Sequence, residues 1–317
     1  MAEVKLIPVA PAEEGMRLDR WLRRRWPHLT QIQILKLARS GQLRQDGGRV
    51  KADSRLAAGA IIRVPPLPEG LPPAPKAAIS PRDADFARSL VLYEDDEVLA
   101  LNKPAGLAVQ GGTKTHQHID RLLSAWGEGQ ARPRLTHRLD RDTSGVLLLA
   151  KTPDAAAFLA GGFARRRAEK TYWALVEGIP KPGQGVIELP LVKVGIDDRE
   201  RMVPGDPKDP AAKAAATEFS TISRASPRAA WLELRPLTGR THQLRAHLLA
   251  IGHPILGDPK YHTPQSQEAA ADLKLQLHAR RLRTPHPSGG MIEVEAPLSP
   301  EMKAGFARFG FELSEAP

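Results

Sequence analysis

The sequence predicts an α+β protein in two parts, a small arginine-rich N-terminal α/β domain and a larger domain built on a large sheet whose strand order the pattern leaves open. Three observations carry that expectation. Nearly all the net charge lies in one short segment, a proline-dense stretch follows it, and short apolar runs of strand length punctuate the rest. With 317 residues, 41% of them hydrophobic and 26% charged, the chain is long enough for one large core and one small one.

Residues 15–63 hold twelve Arg or Lys against three acids, Asp19, Asp46 and Asp53, a local excess of nine in a chain whose total is +10. So local an excess points to a polyphosphate partner, because each phosphate neutralised by Lys or Arg releases counterions. A membrane surface fits less well, since the segment lacks an aromatic-rich apolar face. Leu18, Trp21 and Leu22 stand at helical spacing. Ile34, Leu35, Leu37 and Ala38 make a second short helix, broken by Gly41 after Ser40. Asp46-Gly47 is a hairpin signal.

VPPLPEGLPPAPKAAISPR, residues 64–82, carries seven prolines in nineteen positions. Such a stretch reads as a semi-rigid extended linker rather than a helix or central strand. The expected division is therefore a domain at 15–64, a linker at 65–82 and a second domain at 83–317. In that second domain LVLYEDDEVLALNKPAG, GVLLLAK, TYWALVEG, AAWLELRPLTG and GMIEVEAPL are strand candidates separated by Gly, Pro or Asp. Helices are expected at 154–168 and 240–250, the first interrupted by Gly161 and Gly162, each costing about 1 kcal/mol of helix propensity relative to Ala. Residues 195–216 and 262–272 read as exposed polar loops.

Cysteine is absent, which removes disulfides, thiolate zinc sites and cysteine nucleophiles together and agrees with a cytoplasmic location. MAEVKLIPVA has no basic n-region or long apolar h-region, so no export is expected. No apolar run approaches the roughly 20 residues of a membrane span. There is no Gly-rich dinucleotide fingerprint and no P-loop. His242 and His247, at i and i+5, do not stack on one helical face, so no metal is expected.

One stretch asks for chemistry. In THRLDRDTSGVLLLAK, residues 136–151, Asp140 sits among His137, Arg138 and Arg141, ahead of a turn-like Asp-Thr-Ser-Gly and a buried apolar run. Taken alone, such an aspartate is a turn or cap residue. Crowded by cations, it also suits a carboxylate kept ionised for work on an anionic polymer. Tyr172 alone is a strand aromatic, and Arg245 alone is a surface arginine on an amphipathic helix with Leu244 and Leu248.

Together these stretches carry two resemblances. The N-terminal segment resembles an S4-type RNA-binding domain through Arg17-Leu18-Asp19 and Arg39-Ser40-Gly41, with Gln31 and Gln33 where many members carry arginine, and Leu43 and Gln45 in place of a small β-branched pair. Its RNA contacts are expected at Arg17, Arg20, Lys36, Arg39, Arg44 and Lys51. The rest resembles pseudouridine synthases of the ribosomal large-subunit type, the RluA/RluC/RluD group. The resemblance is carried by His137-Arg138-Leu139-Asp140 with Asp142-Thr143-Ser144-Gly145, by Lys170-Thr171-Tyr172, and by Gly239-Arg240-Thr241-His242-Gln243-Leu244-Arg245-Ala246-His247. Asn102-Lys103-Pro104, Gly252 to Asp258 and Leu277-His278-Ala279 extend it over nearly the whole chain, while Gln110 stands where many members carry histidine. Within the group the pattern is nearest the RluC type.

The resemblance implies a large mixed, mainly antiparallel sheet with Asp140 as catalytic residue, Tyr172 against the target base and Arg245 pairing with Asp140. Arg138, His137 and Leu244 would bind substrate, with Arg138 filling the space of an extruded nucleotide. The implied partner is 23S ribosomal RNA, in the assembling large subunit, and the implied state is a monomer. Isomerising uridine breaks the N1 bond to the sugar and remakes it from C5, with no redox change and no group imported, so no cofactor is required. One ionised carboxylate suffices, either to attack the sugar or to remove a sugar proton. Three rivals remain on sequence grounds. A glycoside hydrolase needs a second carboxylate, for which Asp142 is the near candidate. An RluD-like synthase would take other ribosomal targets, and a non-catalytic RNA-binding or ribosome-assembly protein would need none of these three residues.

Overall fold

The computed structural model describes residues 3–67, 79–111, 117–129, 131–195, 200–225, 227–270 and 272–316. The chain divides into two compact units, Met1–Ala78 and Ile79–Pro317. Most of the proline stretch, at 68–78, lies outside the described residues. Its end is not a linker. Pro81 opens a helix because proline at the first helical position gives up an N–H that has no intrahelical partner, and Ser80 caps that turn by accepting from the Asp83 N–H at 3.1 Å.

The first unit contains β1 (Lys5–Pro8), α1 (Leu18–Arg25), α2 (Gln31–Arg39), β2 (Arg44–Gln45), β3 (Gly48–Arg49) and β4 (Ile61–Val64). Its strands form a sheet in the order β1-β4-β2-β3. Leu18, Trp21, Leu22 and Ile34 are fully buried, so the helical spacing read from sequence is the core face of both helices. Asp46 and Gly47 take positive φ angles of 48° and 80°, the mirror-image turn that joins β2 to β3.

The second unit runs α3 (Pro81–Ser89), β5 (Val91–Glu94), β6 (Val98–Lys103), α4 (Ile119–Leu122), β7 (Arg134–Leu135), β8 (Ser144–Ala150), α5 (Pro153–Ala164) and β9 (Glu169–Glu177). It continues with β10 (Gln184–Glu188), β11 (Leu191–Val194), β12 (Arg201–Pro204), β13 (Ala216–Ala225), β14 (Ala229–Pro236) and α6 (Gln243–Ala250). The last elements are α7 (Pro264–Ala269), β15 (Leu277–Pro285), β16 (Met291–Glu295) and α8 (Pro300–Phe309).

A ten-stranded sheet in the order β10-β13-β14-β9-β15-β8-β6-β5, with β16 on β15 and β7 on β8, organises this unit. Among the described residues only β15 and β8 pair in parallel, so the sheet is mixed and mainly antiparallel. Every residue of β8 is buried, which explains its unbroken apolar run.

Three further sequence expectations change. The 195–216 loop contains β12, which pairs with β11, although 196–199 lie outside the described residues. The 262–272 loop contains α7, whose Pro264 again occupies a first turn. Gly161 and Gly162 do not interrupt the helix. α5 continues through them and ends at Ala164, with their carbonyls accepting from the Arg165 and Arg167 N–H groups.

Candidate active site

Asp140 precedes the central strand β8, and the approach to it is built from side chains that take over strand hydrogen bonds. β7 pairs with β8 only as far as Leu135 opposite Leu149. Beyond that point the chain peels away, and the Thr136 hydroxyl donates to the Leu148 carbonyl at 2.7 Å while His137 Nε2 accepts from the Leu148 N–H at 2.9 Å. Both backbone groups of Leu148 are thereby satisfied without a neighbouring strand. Burial, reinforced by the Lys170 charge, pushes the His137 pKa down to about 3, so the ring is neutral, and it packs 4.4 Å from Phe163. The first job of His137 is thus to hold the loop, although it also lines the cavity.

Lys103, at the end of β6, clamps the loop from the other side. Its buried ammonium donates to the carbonyls of Pro104, Leu107 and Arg141 at 2.8, 2.8 and 2.9 Å. Burial lowers its pKa to about 7, against the opposing pull of Asp142 and Asp140. Gly145 has φ of 110°, and a Cβ there would lie 2.2 Å from the Ala279 carbonyl oxygen, so only glycine lets β15 approach β8 at this point.

The third wall is the loop leading into α6. Gln243 is buried and accepts from the Thr238 hydroxyl (2.6 Å) and the Arg240 N–H (3.1 Å), while donating to the Ala216 carbonyl and the Thr217 hydroxyl (2.9 Å each). The GRTH turn is thereby tied to β13, with His242 in the left-handed region at φ 50°. α6 is not a surface helix. Residues 243–248 are all buried, Arg245 among them.

Arg245 lies 3.8 Å from Asp140, too far for a hydrogen bond. Its hydrogen-bonding partner is Asp258, which accepts from Nε and Nη2 at 2.7 Å each. Asp258 also accepts the Lys260 and Tyr261 backbone N–H groups at 2.8 and 2.9 Å. Burial opposes the charge on Arg245, but the Asp258 hydrogen bonds and the charges of Asp258 and Asp140 together raise its pKa. The expected pairing of Arg245 with Asp140 is thus a charge pair without a direct hydrogen bond, part of a relay in which Asp258 holds the cation that Asp140 faces. His242 Nε2 stands 4.0 Å from Asp140 and Nδ1 3.0 Å from the Tyr261 hydroxyl, and burial lowers its pKa in spite of Asp140.

These walls enclose a cavity of about 470 Å³ lined by His137, Arg138, Asp140, Lys170, Tyr172, Leu244 and Arg245 among others. Burial, then the Asp140 charge, raises the Tyr172 pKa, so the resting side chain is the neutral phenol. Its hydroxyl has no hydrogen-bonding partner among the described residues. Arg138 is exposed at the cavity mouth. Asp140 is the sole carboxylate among the described lining residues, and Asp142 is not one of them, so those residues do not supply the acid–base pair that a glycoside hydrolase needs. Among the described residues no three His, Asp or Glu cluster to hold a metal.

Sequence reasoning missed Asp258 as an anchor, Tyr261 as the aromatic 5.0 Å beneath the Arg245 guanidinium, and Lys103 as the loop clamp. Asp258 and Lys103 lay in stretches already singled out, but no local pattern showed what they hold.

In the first unit Arg17, Arg39 and Lys51 converge on a groove of about 440 Å³ floored by Leu35, Ala38, Val50 and Ala52. Arg17 is tied to Asp19 at 2.8 and 3.1 Å. Lys36 lines a second depression beside Ile32, and Arg20 is exposed. Arg44 donates to the Gly41 and Gly47 carbonyls at 3.2 Å each and so braces its own hairpin. Gln31, where arginine was expected, bridges Arg23 and Asp19.

A lone lining carboxylate thus faces a fixed guanidinium at the entrance of the central strand β8, an arrangement suited to carboxylate chemistry on an anionic substrate. The comparisons name the family. The RNA pseudouridylate synthase family model matches residues 97–250. Over 306 residues the chain is 33% identical to ribosomal large subunit pseudouridine synthase C of Vibrio vulnificus, covering 95% of both chains. It is 34% identical to the protein of that name from Escherichia coli over 313 residues, with the same 95% coverage of each. A solved structure, human RNA pseudouridylate synthase domain containing 4, aligns at 29% identity and a TM-score of 0.61, covering 73% of this chain and 98% of that one. The chain belongs to the RNA pseudouridylate synthase family.

Proposed function

We propose that this enzyme isomerises specific uridines of 23S ribosomal RNA to pseudouridine with Asp140 as its catalytic carboxylate, Arg245 as the cation facing it and Tyr172 as the ring against the uracil. The observation that carries this reading is the Arg245 guanidinium, fixed by Asp258 at 2.7 Å and presented to Asp140 at 3.8 Å. A pre-oriented cation favours the carboxylate form without waiting for side chains to reorganise. The N1–sugar bond breaks, the uracil turns against Tyr172, C5 bonds to the sugar, and the C5 proton is lost while N1 gains one. Reaching a uridine inside folded RNA requires extruding it, and Arg138 at the cavity mouth fills the vacated stack.

The relatives named for the large ribosomal subunit support its 23S RNA as substrate. Binding as part of the assembling subunit, by a monomeric enzyme in the cytoplasm, belongs to the same proposal. Among the described residues no helix is long and apolar enough to cross a membrane. The N-terminal unit, with Arg17, Arg39 and Lys51 on one groove, binds RNA phosphates in the manner of an S4-type domain. Pseudouridine mapping of 23S RNA with and without the enzyme identifies the target uridines. Asp140→Asn is expected to keep RNA affinity and lose isomerisation. Wild-type turnover by that variant would remove Asp140 from the mechanism.

A further inference from the structure

The corner where α5 passes into β9 carries charge that the catalytic reading leaves unused. Arg165, Arg166 and Arg167 are consecutive and all exposed. Among the described residues none of their guanidinium groups has an ion-pair or hydrogen-bonding partner. The arginines of the neighbouring strand β15 are treated differently. Arg280 pairs with Glu295 at 2.8 Å, Arg281 with Glu293 at 3.4 Å, and Arg283 with Glu169 at 3.5 Å and Glu293 at 3.6 Å. Glu169, the carboxylate closest in sequence to the arginine run, is thus directed to β15. The fold supplies internal partners to the β15 arginines and withholds them from the corner.

The corner also has shape. Arg165 and Arg167 edge a groove of about 150 Å³ with Phe158, Gly161, Gly162, Thr284 and Pro285. Phe158 is 42% exposed, a large aromatic face left open beside two cations. Chain continuity links this groove to the catalytic cavity. Three residues beyond Arg167, Lys170 enters the cavity wall, with its ammonium 5.7 Å from the Phe163 ring and 4.0 Å from a Cβ built on Gly239. Lys170 is half-buried and has no carboxylate or carbonyl within hydrogen-bonding distance among the described residues. A cation held there without a counter-charge costs free energy unless an anion arrives. Arginine forks beside an exposed aromatic suit a strand that offers phosphates and an unstacked base together.

We propose that the α5–β9 corner is the docking surface for the RNA strand adjoining the target uridine, with Arg165 and Arg167 on its backbone phosphates, Phe158 under an unstacked base, and Lys170 on a phosphate of the extruded nucleotide itself. The proposal rests on RNA being the substrate and adds the direction in which the strand leaves the cavity.

The test is the salt dependence of binding to unmodified 23S RNA transcribed in vitro, measured in an Asp140→Asn background so that the RNA is not converted. Arg165→Gln with Arg167→Gln is expected to lower the slope of log affinity against log salt by about 1.4, and Lys170→Met by about 0.7, at roughly 0.7 per single-strand phosphate contact. Arg165→Lys with Arg167→Lys keeps the charge and should restore the slope, which separates a lost contact from a damaged fold. The charge-matched control is Arg235→Gln with Arg308→Gln, two arginines already paired with Glu233 and Asp272, expected to leave the slope unchanged. An unaltered slope in the corner variants, or an equal fall in the control, overturns the proposal. If the wild-type enzyme instead fails to form pseudouridine, the catalytic reading falls while this binding result stands.

Discussion

Asp258→Asn tests the relay behind Asp140, the carboxylate proposed as catalytic. Asp258 accepts four hydrogen bonds, two from Arg245 and one each from the Lys260 and Tyr261 N–H groups. The substitution removes its charge and turns one oxygen into an amide nitrogen that can only donate, so donor faces donor across a contact of 2.7 Å. Breaking a buried, hydrogen-bonded ion pair costs about 3–5 kcal/mol because the remaining charge is stranded. In a unit of this size each kcal/mol lowers the melting temperature by about 2–4 °C, so a fall on the order of 10 °C is expected. The released guanidinium has Asp140 as its nearest carboxylate, at 3.8 Å, a separation at which opposite charges attract by about 4 kcal/mol in an effective dielectric near 20. Arg245 should therefore collapse onto Asp140 and occupy the position of the sugar. A misplacement of about 1 Å costs on the order of 10²-fold in rate. Calorimetry gives the first number, and single-turnover release of tritium from C5-labelled uridine, below the transition, gives the second. Adding Arg245→Met should recover stability but not activity, since it removes the stranded charge. A melting temperature within about 2 °C of wild type with unchanged turnover would refute the relay.

Tyr172→Phe keeps the flat face and removes a hydroxyl that has no internal partner, so RNA affinity should hold while isomerisation slows by about 10²-fold or more, the usual worth of a positioned proton-transfer group. Turnover within twofold of wild type would assign the ring to stacking alone. Gly145→Ala drives a methyl into the Ala279 carbonyl at a φ of 110°, and should cost about 2 kcal/mol or more while shifting the Asp140 turn. Urea denaturation measures that cost, and a loss under about 0.5 kcal/mol would show that the two strands can part. Removing residues 1–78 should weaken RNA affinity and flatten its salt dependence, because it deletes most of the excess positive charge. Filter binding across a salt series that returns the full-length slope would deny the first unit its role.

Charge, proline and hydrophobic period are properties of neighbouring residues, and what depends on neighbours was legible. Leu18, Trp21 and Leu22 face a core, Asp46-Gly47 turns a hairpin, and 146–150 lies in a strand buried on both faces. The motifs around Asp140, Tyr172 and Arg245 likewise marked the three side chains that meet at one cavity. Pro81 was misread because the same residue that breaks a helix interior is favoured at its first turn. Gly161 and Gly162 were misread because a propensity cost of about 1 kcal/mol each is small beside the packing of the α5 face that buries Ala155 and Leu159.

By itself, then, the sequence determined the two-part organisation, the strand candidates and the residues that meet at one cavity, each through local pattern and family resemblance. Only the tertiary structure decided how they are wired. It gives the hydrogen bonds of Arg245 to Asp258 and leaves Asp140 a charge contact, makes His137 a strand surrogate, and spends Lys103 on the carbonyls of its own loop. Those assignments follow from which donors and acceptors the fold strands away from water, since a buried charge or backbone group must find a partner wherever the packing leaves one. No spacing along the chain encodes that requirement.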